Sequence, residues 1–323
     1  MATISAIVPF FQRRAGLLSD AIKSVSCQNI ECPIDILIVD DGSPVDPAVD
    51  IPTDLPANIQ VRIFRQQNAG PGAARNRGLD EVSPETEYVA FIDSDDAWEP
   101  NHLRNAVAAL GENLDFYFSN HLEPDSTADE FSRRQRLLPS RHQKLPRGSN
   151  CYQFLGDAQD QVIRANVIET STVVFRWSVL RGVRFAPGFR NAFEDHLFWL
   201  DATKASRGIA FSTDVECKYG RGVSLWRSST FGSERSMAQM VDHLRYIRAL
   251  RTNYVTTELQ ARSLRERIDR IRRTFIAELL HRARRGMAID WRAARQIIRD
   301  DPMLIALGLP LTLNIFWRRL RAG

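Results

Sequence analysis

The segment Tyr88-Val-Ala-Phe-Ile-Asp93-Ser94-Asp95-Asp96 constrains this chain more than any other, because an apolar run leads directly into three carboxylates within four residues. A short apolar run of this kind is the mark of a buried strand, so the carboxylates hold a fixed place at its carboxyl end. Three negative charges there repel one another unless a cation sits among them. Oxygen-only ligands suit Mg²⁺ or Mn²⁺, with waters and substrate phosphates completing the shell. The plainer alternative is a set of solvated acids capping Ala97-Trp98 and the helix that follows.

The same pattern recurs upstream. Residues 4–11 (Ile-Ser-Ala-Ile-Val-Pro-Phe-Phe) predict a buried strand, and residues 16–28 a helix with Leu17, Leu18, Ile22 and Val25 on one face. Ile34-Asp-Ile-Leu-Ile-Val-Asp40-Asp41-Gly42 is a second strand ending on two carboxylates, and residues 61–65 are a third. Helices are expected over 73–79 and 101–110. Strands alternating with helices predict an α/β fold with a mostly parallel sheet and helices on both faces. Ligands bind such sheets beyond the carboxyl ends of the strands, which is where the acids fall. Farther on, residues 123–150 are polar and predict a long mobile loop. The β-branched residues 167–175 predict a strand, and residues 193–205 and 233–285 predict helices.

Three further clusters carry candidate chemistry. Asp40, before Asp41-Gly42-Ser43, can accept hydrogen bonds from a base N–H or a ribose hydroxyl, although Asp-Gly is also ordinary turn chemistry. In Gln67-Asn68-Ala-Gly70-Pro-Gly-Ala-Ala-Arg75-Asn-Arg77-Gly78 small residues before a helix would let backbone N–H groups approach a phosphate, with Arg75 or Arg77 adding charge. A structural loop and helix cap would explain the glycines equally well. Phe193-Glu194-Asp195-His196 could be an N-cap, or a general base near a sugar hydroxyl.

In this order and at these spacings the chain resembles the family 2 glycosyltransferases of the GT-A fold. The matching residues are Ile7-Val-Pro9-Phe10-Phe11, Val39-Asp40-Asp41-Gly42-Ser43, Asn68-Ala-Gly70 through Ala74-Arg75-Asn76, Asp93-Ser94-Asp95-Asp96 and Glu194-Asp195, across about residues 1–215. Each motif alone is weak; together they are specific. A narrower similarity, to bacterial glucosyltransferases that extend succinoglycan-type exopolysaccharide side chains, rests on Pro9-Phe10-Phe11-Gln12-Arg13 and Asp40-Asp41-Gly42-Ser43-Pro44.

The resemblance implies a UDP-sugar donor, UDP-glucose in the first instance, bound by Pro9, Phe11, Asp40, Asn68, Arg75, Asp93, Ser94 and Asp95. Asp40 would meet the uracil or ribose and Arg75 would lie beside the nucleoside. Asp93 and Asp95 would form the DxD element that holds a divalent metal, Mn²⁺ or Mg²⁺. Asp195 would be the catalytic base of an inverting transfer to a saccharide acceptor, itself lipid-linked. The family's usual Tyr-Asn is replaced here by Phe11-Gln12. Arg221, in Lys218-Tyr-Gly-Arg-Gly-Val-Ser224, is the candidate for a basic group near the diphosphate, or else a surface residue. Other readings are a catalytically silent nucleotide-sugar-binding protein of the same fold and a nucleotidyltransferase. The latter would need a basic glycine-rich loop where Phe10-Phe11-Gln12 stands.

Residues 216–323 predict a basic helical extension. From Met240 onward there are 18 arginines, no lysine and 8 acidic residues, in a chain whose total charge is only +4. Such an arginine surplus suits an anionic partner. Leu304, Ile305, Leu307, Leu309, Leu311, Leu313, Ile315, Phe316 and Trp317 beside Arg318, Arg319 and Arg321 predict a segment lying on an anionic membrane surface. Residues 244–280 could instead form a homodimer seam. Nucleic acid is disfavoured, since stacking aromatics are not interleaved with the arginines. No stretch reaches the ~18–20 apolar residues of a spanning helix. Met1-Ala-Thr-Ile-Ser has no signal-peptide character, and Cys27, Cys32, Cys151 and Cys217 form no CxxC pair. The expectation is a cytoplasmic enzyme, peripheral on the inner face of the plasma membrane.

Overall fold

The computed structural model of the chain describes residues 3–190, 192–222 and 230–308. Its first strand, β1 (Ile4–Phe10), is buried almost throughout, as a strand is when helices cover both faces of its sheet. It is followed by α1 (Leu17–Ser26), β2 (Ile34–Asp40), β3 (Ile59–Arg65), α2 (Pro71–Asp80) and β4 (Tyr88–Phe91). The pairings β3–β2, β2–β1 and β1–β4 are all parallel. Phe10 stands opposite Asp40, and Asp40 opposite Arg65, so these strands end at one level and deliver their last residues to one edge.

The chain continues through β5 (Ala97–Trp98), α3 (His102–Leu110), β6 (Phe116–Leu122), α4 (Glu130–Arg134), β7 (Gln143–Lys144), β8 (Cys151–Gln153), α5 (Ala158–Ala165), β9 (Val174–Arg176), α6 (Trp177–Leu180), α7 (Glu194–Ala205) and β10 (Ile209–Lys218). Among the described residues the strands form one mixed sheet in the order β3-β2-β1-β4-β9-β6-β10-β8-β7, with β5 antiparallel to the end of β10. β9 is wedged antiparallel between β4 and β6.

One face of the sheet turns Ile4, Ala6, Val8 and Phe10 into a core shared with Leu18, Ile22 and Val25 of α1 and with Leu103, Ala106 and Leu110 of α3. The other face holds α2 and α7. Gly78 lies so near β1 that a Cβ would stand 2.4 Å from Ile7 Cγ2, so only glycine lets α2 sit at that depth. Phe185 stacks on Phe198 at 4.3 Å, and Phe91 meets these rings edge-on at 5.4 and 5.6 Å. This aromatic cluster seats α7 and thereby the acids of its first turn.

Three expectations change. Residues 167–175 are not one strand, because Thr170–Thr172 form a 3₁₀ turn and pairing begins at Val174; the turn points Ser171 at the acids beyond β4. Residues 123–150 are not a featureless loop. Asp129 caps α4, Phe131 and Leu137 are buried, and β7 pairs with β8. A boundary after residue 215 would cut β10, and the compact unit comprises Met1–Arg190 with Glu194–Val223.

Asn191–Phe193 and Ser224–Gly323 form the second unit. Its described part holds α8 (Ser236–Asn253), α9 (Glu258–Arg285) and α10 (Trp291–Asp300). Thr257 and Gln260 make a capping box that starts α9, and Gly286, with φ 63°, ends it. Within this unit Glu278 is fully buried, accepting from Gly232 N at 2.9 Å, Ser236 Oγ at 2.8 Å and Arg282 Nε at 2.8 Å. No helix among the described residues is long and apolar enough to cross a membrane. Most of the expected interfacial segment, Leu309 through Arg321, lies outside the described residues.

Candidate active site

The turn after β2 gives its two carboxylates different tasks. Asp40 Oδ1 accepts from Ser43 N at 2.8 Å. Ser43 Oγ donates to Gln12 O at 2.9 Å and accepts from Gln12 N at 3.0 Å. Gln12 Nε2 in turn donates to Ser94 Oγ at 2.9 Å. Asp40, the loop behind the half-buried Pro9 and Phe11, and the Asp93–Asp95 segment are therefore one hydrogen-bonded assembly. Gln12 is 3% exposed, and its Oε1 has no partner among the described residues. A buried acceptor left open costs on the order of 1–3 kcal/mol unless a ligand or water donates to it.

Asp41 holds the next loop. Its carboxylate accepts from Ala69 N, Gly70 N and Gln66 Nε2, each at 2.8 Å, while Asn68 Nδ2 donates to Asp41 O at 2.9 Å. The N–H groups of Ala69 and Gly70, which the sequence offered to a phosphate, are thus taken by Asp41. Of the two readings left open for this loop, the helix entry holds at these positions: Gly70 is the N-cap of α2 and Pro71 its first residue.

Arg75 joins the acids beyond β4 to the acids that open α7. It is 4% exposed, with Nη2 at 2.7 Å from Asp93 Oδ1, Nη1 at 3.2 Å from Glu194 Oε1, and the guanidinium 5.4 Å from the Phe185 ring centre. Burial works against the charge, but Asp93, Glu194 and Asp195 outweigh it and hold Arg75 protonated. Burial and then Asp195 push Glu194 up to about 7, against the pull of Arg75. Asp195 itself is half-buried in the first turn of α7, where its Oδ1 accepts from His196 N at 2.8 Å. The resemblance set Arg75 beside a nucleoside; here both of its terminal nitrogens rest on carboxylates.

The acids beyond β4 are tied in from far along the chain. Ser171 Oγ accepts from Asp93 N at 2.9 Å and donates to Asp96 Oδ2 at 2.5 Å. Gly220 N donates to Asp96 Oδ1 at 2.9 Å, and Gly222 N to Asp95 Oδ2 at 2.7 Å. A Cβ on Gly220 would fall 1.6 Å from Asp95 O, so that position admits only glycine. Burial, then Asp93 and Asp95, drive Asp96 well above the usual carboxylate range. Between these glycines Arg221 is exposed and ion-paired with Asp125, so backbone N–H groups, not its side chain, meet the acids. Among the described residues no three His, Cys, Asp or Glu side chains converge on a preformed metal site.

Two site-associated residues escaped the sequence reading, Ser171 and Glu169, while Gln12 and Asp96 stood in its motifs without the hydrogen bonds found here. Half-buried Glu169 is pushed up to about 8 by burial, then by Asp195, Glu130 and Glu123. No local pattern marks it; the turn at Thr170–Thr172 alone brings it there.

The profile named Glycosyl transferase family 2 matches residues 5–179, a span holding Asp40, Arg75, Asp93 and Asp95. Over 318 residues the chain is 27% identical to the succinoglycan biosynthesis protein ExoW of Rhizobium meliloti, covering 97% of this chain and 99% of that one. Among solved structures it is similar to S. aureus TarS 1–349 in complex with UDP-GlcNAc, with a TM-score of 0.56 at 16% identity over 95% of this chain and 91% of that one. It is also similar to the mannosyltransferase PcManGT from Pyrobaculum calidifontis in complex with GDP-Man and Mn²⁺, with a TM-score of 0.55 at 16% identity over 96% and 80%. At such identities the structural likeness speaks for the fold, which is the α/β GT-A fold. The family match takes in more than half of the chain, which therefore belongs to glycosyl transferase family 2 and is a glycosyltransferase.

Proposed function

We propose that this chain moves a hexose, glucose in the first instance, from a UDP-sugar to a hydroxyl of a saccharide acceptor with inversion, in the synthesis of a bacterial exopolysaccharide or cell-surface glycan. The Arg75 bridge carries the reading, since one guanidinium binds Asp93 on the donor side and Glu194, next to Asp195, on the other. The name of the succinoglycan relative and the nucleotide-sugar complexes of the two fold neighbours support the substrate class.

In this reading Asp40 and the Gln12–Ser43 turn hold the base or ribose, while Pro9 and Phe11 pack beside it and Asn68 and Ser94 border the site. Asp195 takes the proton of the acceptor hydroxyl as that oxygen bonds to the anomeric carbon. The bond from this carbon to the diphosphate oxygen breaks on the opposite side, and the diphosphate leaves with the electron pair. Base assistance of this kind contributes about 10²–10⁴ in rate. Arg221 would approach the diphosphate only by leaving Asp125, a solvent-exposed pair that is cheap to break.

The residues beyond β4 fit a divalent ion in kind. Asp93 and Asp95 are half-buried oxygen donors, and burial first, then their charge, drives Asp96 toward its neutral form. The incomplete cage suits Mg²⁺ or Mn²⁺, whose shell includes waters and phosphate oxygens. Bound at Asp93 and Asp95, the ion would neutralise the leaving diphosphate. The acceptor would be lipid-linked, with the enzyme on the cytoplasmic face of the plasma membrane.

The test is a panel of nucleotide sugars with Mn²⁺, Mg²⁺ or chelator, followed for nucleoside diphosphate release and product anomer. The expected result is metal-dependent UDP release and a β-linked product from an α-linked donor. Binding of a donor without turnover in the presence of acceptors would favour the silent binding protein.

A further inference from the structure

The described end of the helical unit carries a feature that sugar transfer does not use. α10 buries Ala293, Ala294 and Ile297 on one side. At 100° per residue, Trp291, Arg292, Arg295 and Arg299 share an arc of about 100° on the opposite side. All four are exposed, Trp291 at 60%, and no acidic residue lies on that arc. Elsewhere among the described residues of the unit Arg272 is paired with Asp301 and Arg282 with Glu278, while Arg248, Arg251, Arg270, Arg273, Arg284 and Arg285 are exposed but not joined on one face by an exposed tryptophan. The three arginines of the stripe have no ion-pair partner among the described residues. Beyond α10 the apolar exposure continues, with Met303 at 52% and Ile305 at 73%. The sequence after residue 308 runs Leu-Pro-Leu-Thr-Leu-Asn-Ile-Phe-Trp-Arg-Arg-Leu-Arg-Ala-Gly.

We propose that the outer face of α10 docks this enzyme on an anionic lipid bilayer, with Trp291 in the headgroup layer and Arg292, Arg295 and Arg299 on lipid phosphates. Tryptophan favours such an interface because its ring is apolar and its N–H is polar. Arginine meets phosphate oxygens in pairs, and each cation near an anionic leaflet adds to the attraction. Because the apolar side of α10 is buried within the unit, the contact rests on the Trp291 ring and the three arginines and not on an inserted apolar face. Single-stranded nucleic acid would match the charge, but it is held by a series of stacking rings, and this stripe has one ring at its end. The inference extends the reading of a membrane-borne acceptor, and its test is separable from that reading.

Purified full-length protein is floated with vesicles of phosphatidylcholine alone or with a quarter phosphatidylglycerol. Wild type should float with the anionic vesicles only, and less so as salt rises. Arg292→Glu/Arg295→Glu/Arg299→Glu should lower the bound fraction at least about tenfold, and Trp291→Ala should lower it less. Both variants should keep the wild-type Tm and UDP release with a water-soluble acceptor, since α10 lies outside the catalytic residues. Equal flotation with neutral vesicles, wild-type flotation by the triple variant, or displacement of the wild type by an RNA homopolymer would each overturn the proposal. Flotation without donor turnover would leave the docking intact and remove the transfer reading instead.

Discussion

The two halves of the catalytic sheet bring residues to the cleft in different ways. From β3 to β4 all strands are parallel; β3, β2 and β1 end in step while β4 stops opposite Ile7, and the acids sit at or just past the strand ends: Asp40 closes β2 and Asp93 follows β4. From β9 to β7 parallel and antiparallel pairs mix, β9 has three residues, and β10 slips register between Ser212 and Cys217. Here the contributors come from turns and helix starts: Ser171 from a 3₁₀ turn, Gly220 and Gly222 from beyond β10, and Glu194 and Asp195 from the first turn of α7. Regular geometry places the first set. Individual hydrogen bonds onto the first set place the second, so single substitutions should be felt most where the two sets join.

Asp195→Asn should break the comparison most sharply. Turnover should fall by about 10²–10⁴, with UDP-sugar affinity by calorimetry unchanged; lost affinity with surviving turnover would move Asp195 to the donor side. Arg75→Met cuts the node between the halves and leaves Asp93 and Glu194 without their cation. Removing one partner of a buried ion pair costs about 3–5 kcal/mol, which urea unfolding would report. A loss under about 1 kcal/mol would mean that the halves do not lean on this guanidinium.

Ser171→Ala removes a donor from buried Asp96 and an acceptor from Asp93 N, for about 1–3 kcal/mol. In a double-mutant cycle with Asp96→Asn the two effects should not add. Glu169→Gln should show the smallest change, and one that depends on pH. With its carboxyl raised to about 8, folding takes up a proton between the ordinary glutamate range and pH 8, so the wild type loses stability as pH climbs through that window. The glutamine variant avoids this loss. Its Tm advantage should be near zero at about pH 4 and reach a few degrees at about pH 8. An advantage independent of pH would show that Glu169 is ionised in the fold.

The parallel half was legible because apolar runs mark strands and their ends mark the cleft. Ile34 to Asp40 and Tyr88 to Asp93 announce both strand and acid in one stretch. Asp40 and Asp41 look alike in sequence, and only the fold assigns Asp41 to Ala69 and Gly70. The second half was less legible because its determinants are distant. The β-branched residues 167–175 suggest a strand, yet Ser171 must turn toward Asp96 and the Asp93 amide, which no local pattern encodes. Arg75 meets Glu194 across 119 positions. In the same way, the boundary expected at residue 215 missed Gly220 and Gly222, whose importance lies in what their N–H groups reach.

The late insertion of β9 between β4 and β6 has a consequence for the newborn chain. During synthesis β1 to β4 can pair as soon as they leave the ribosome, but the outer edge of β4 waits for Val174 to Arg176. An apolar strand with bare N–H and C=O groups is a template for a neighbouring polypeptide, and polysomes supply such neighbours in plenty. Changes that slow the arrival of Val174 or Phe175 should therefore send product into inclusion bodies while leaving the molecules that do mature fully competent.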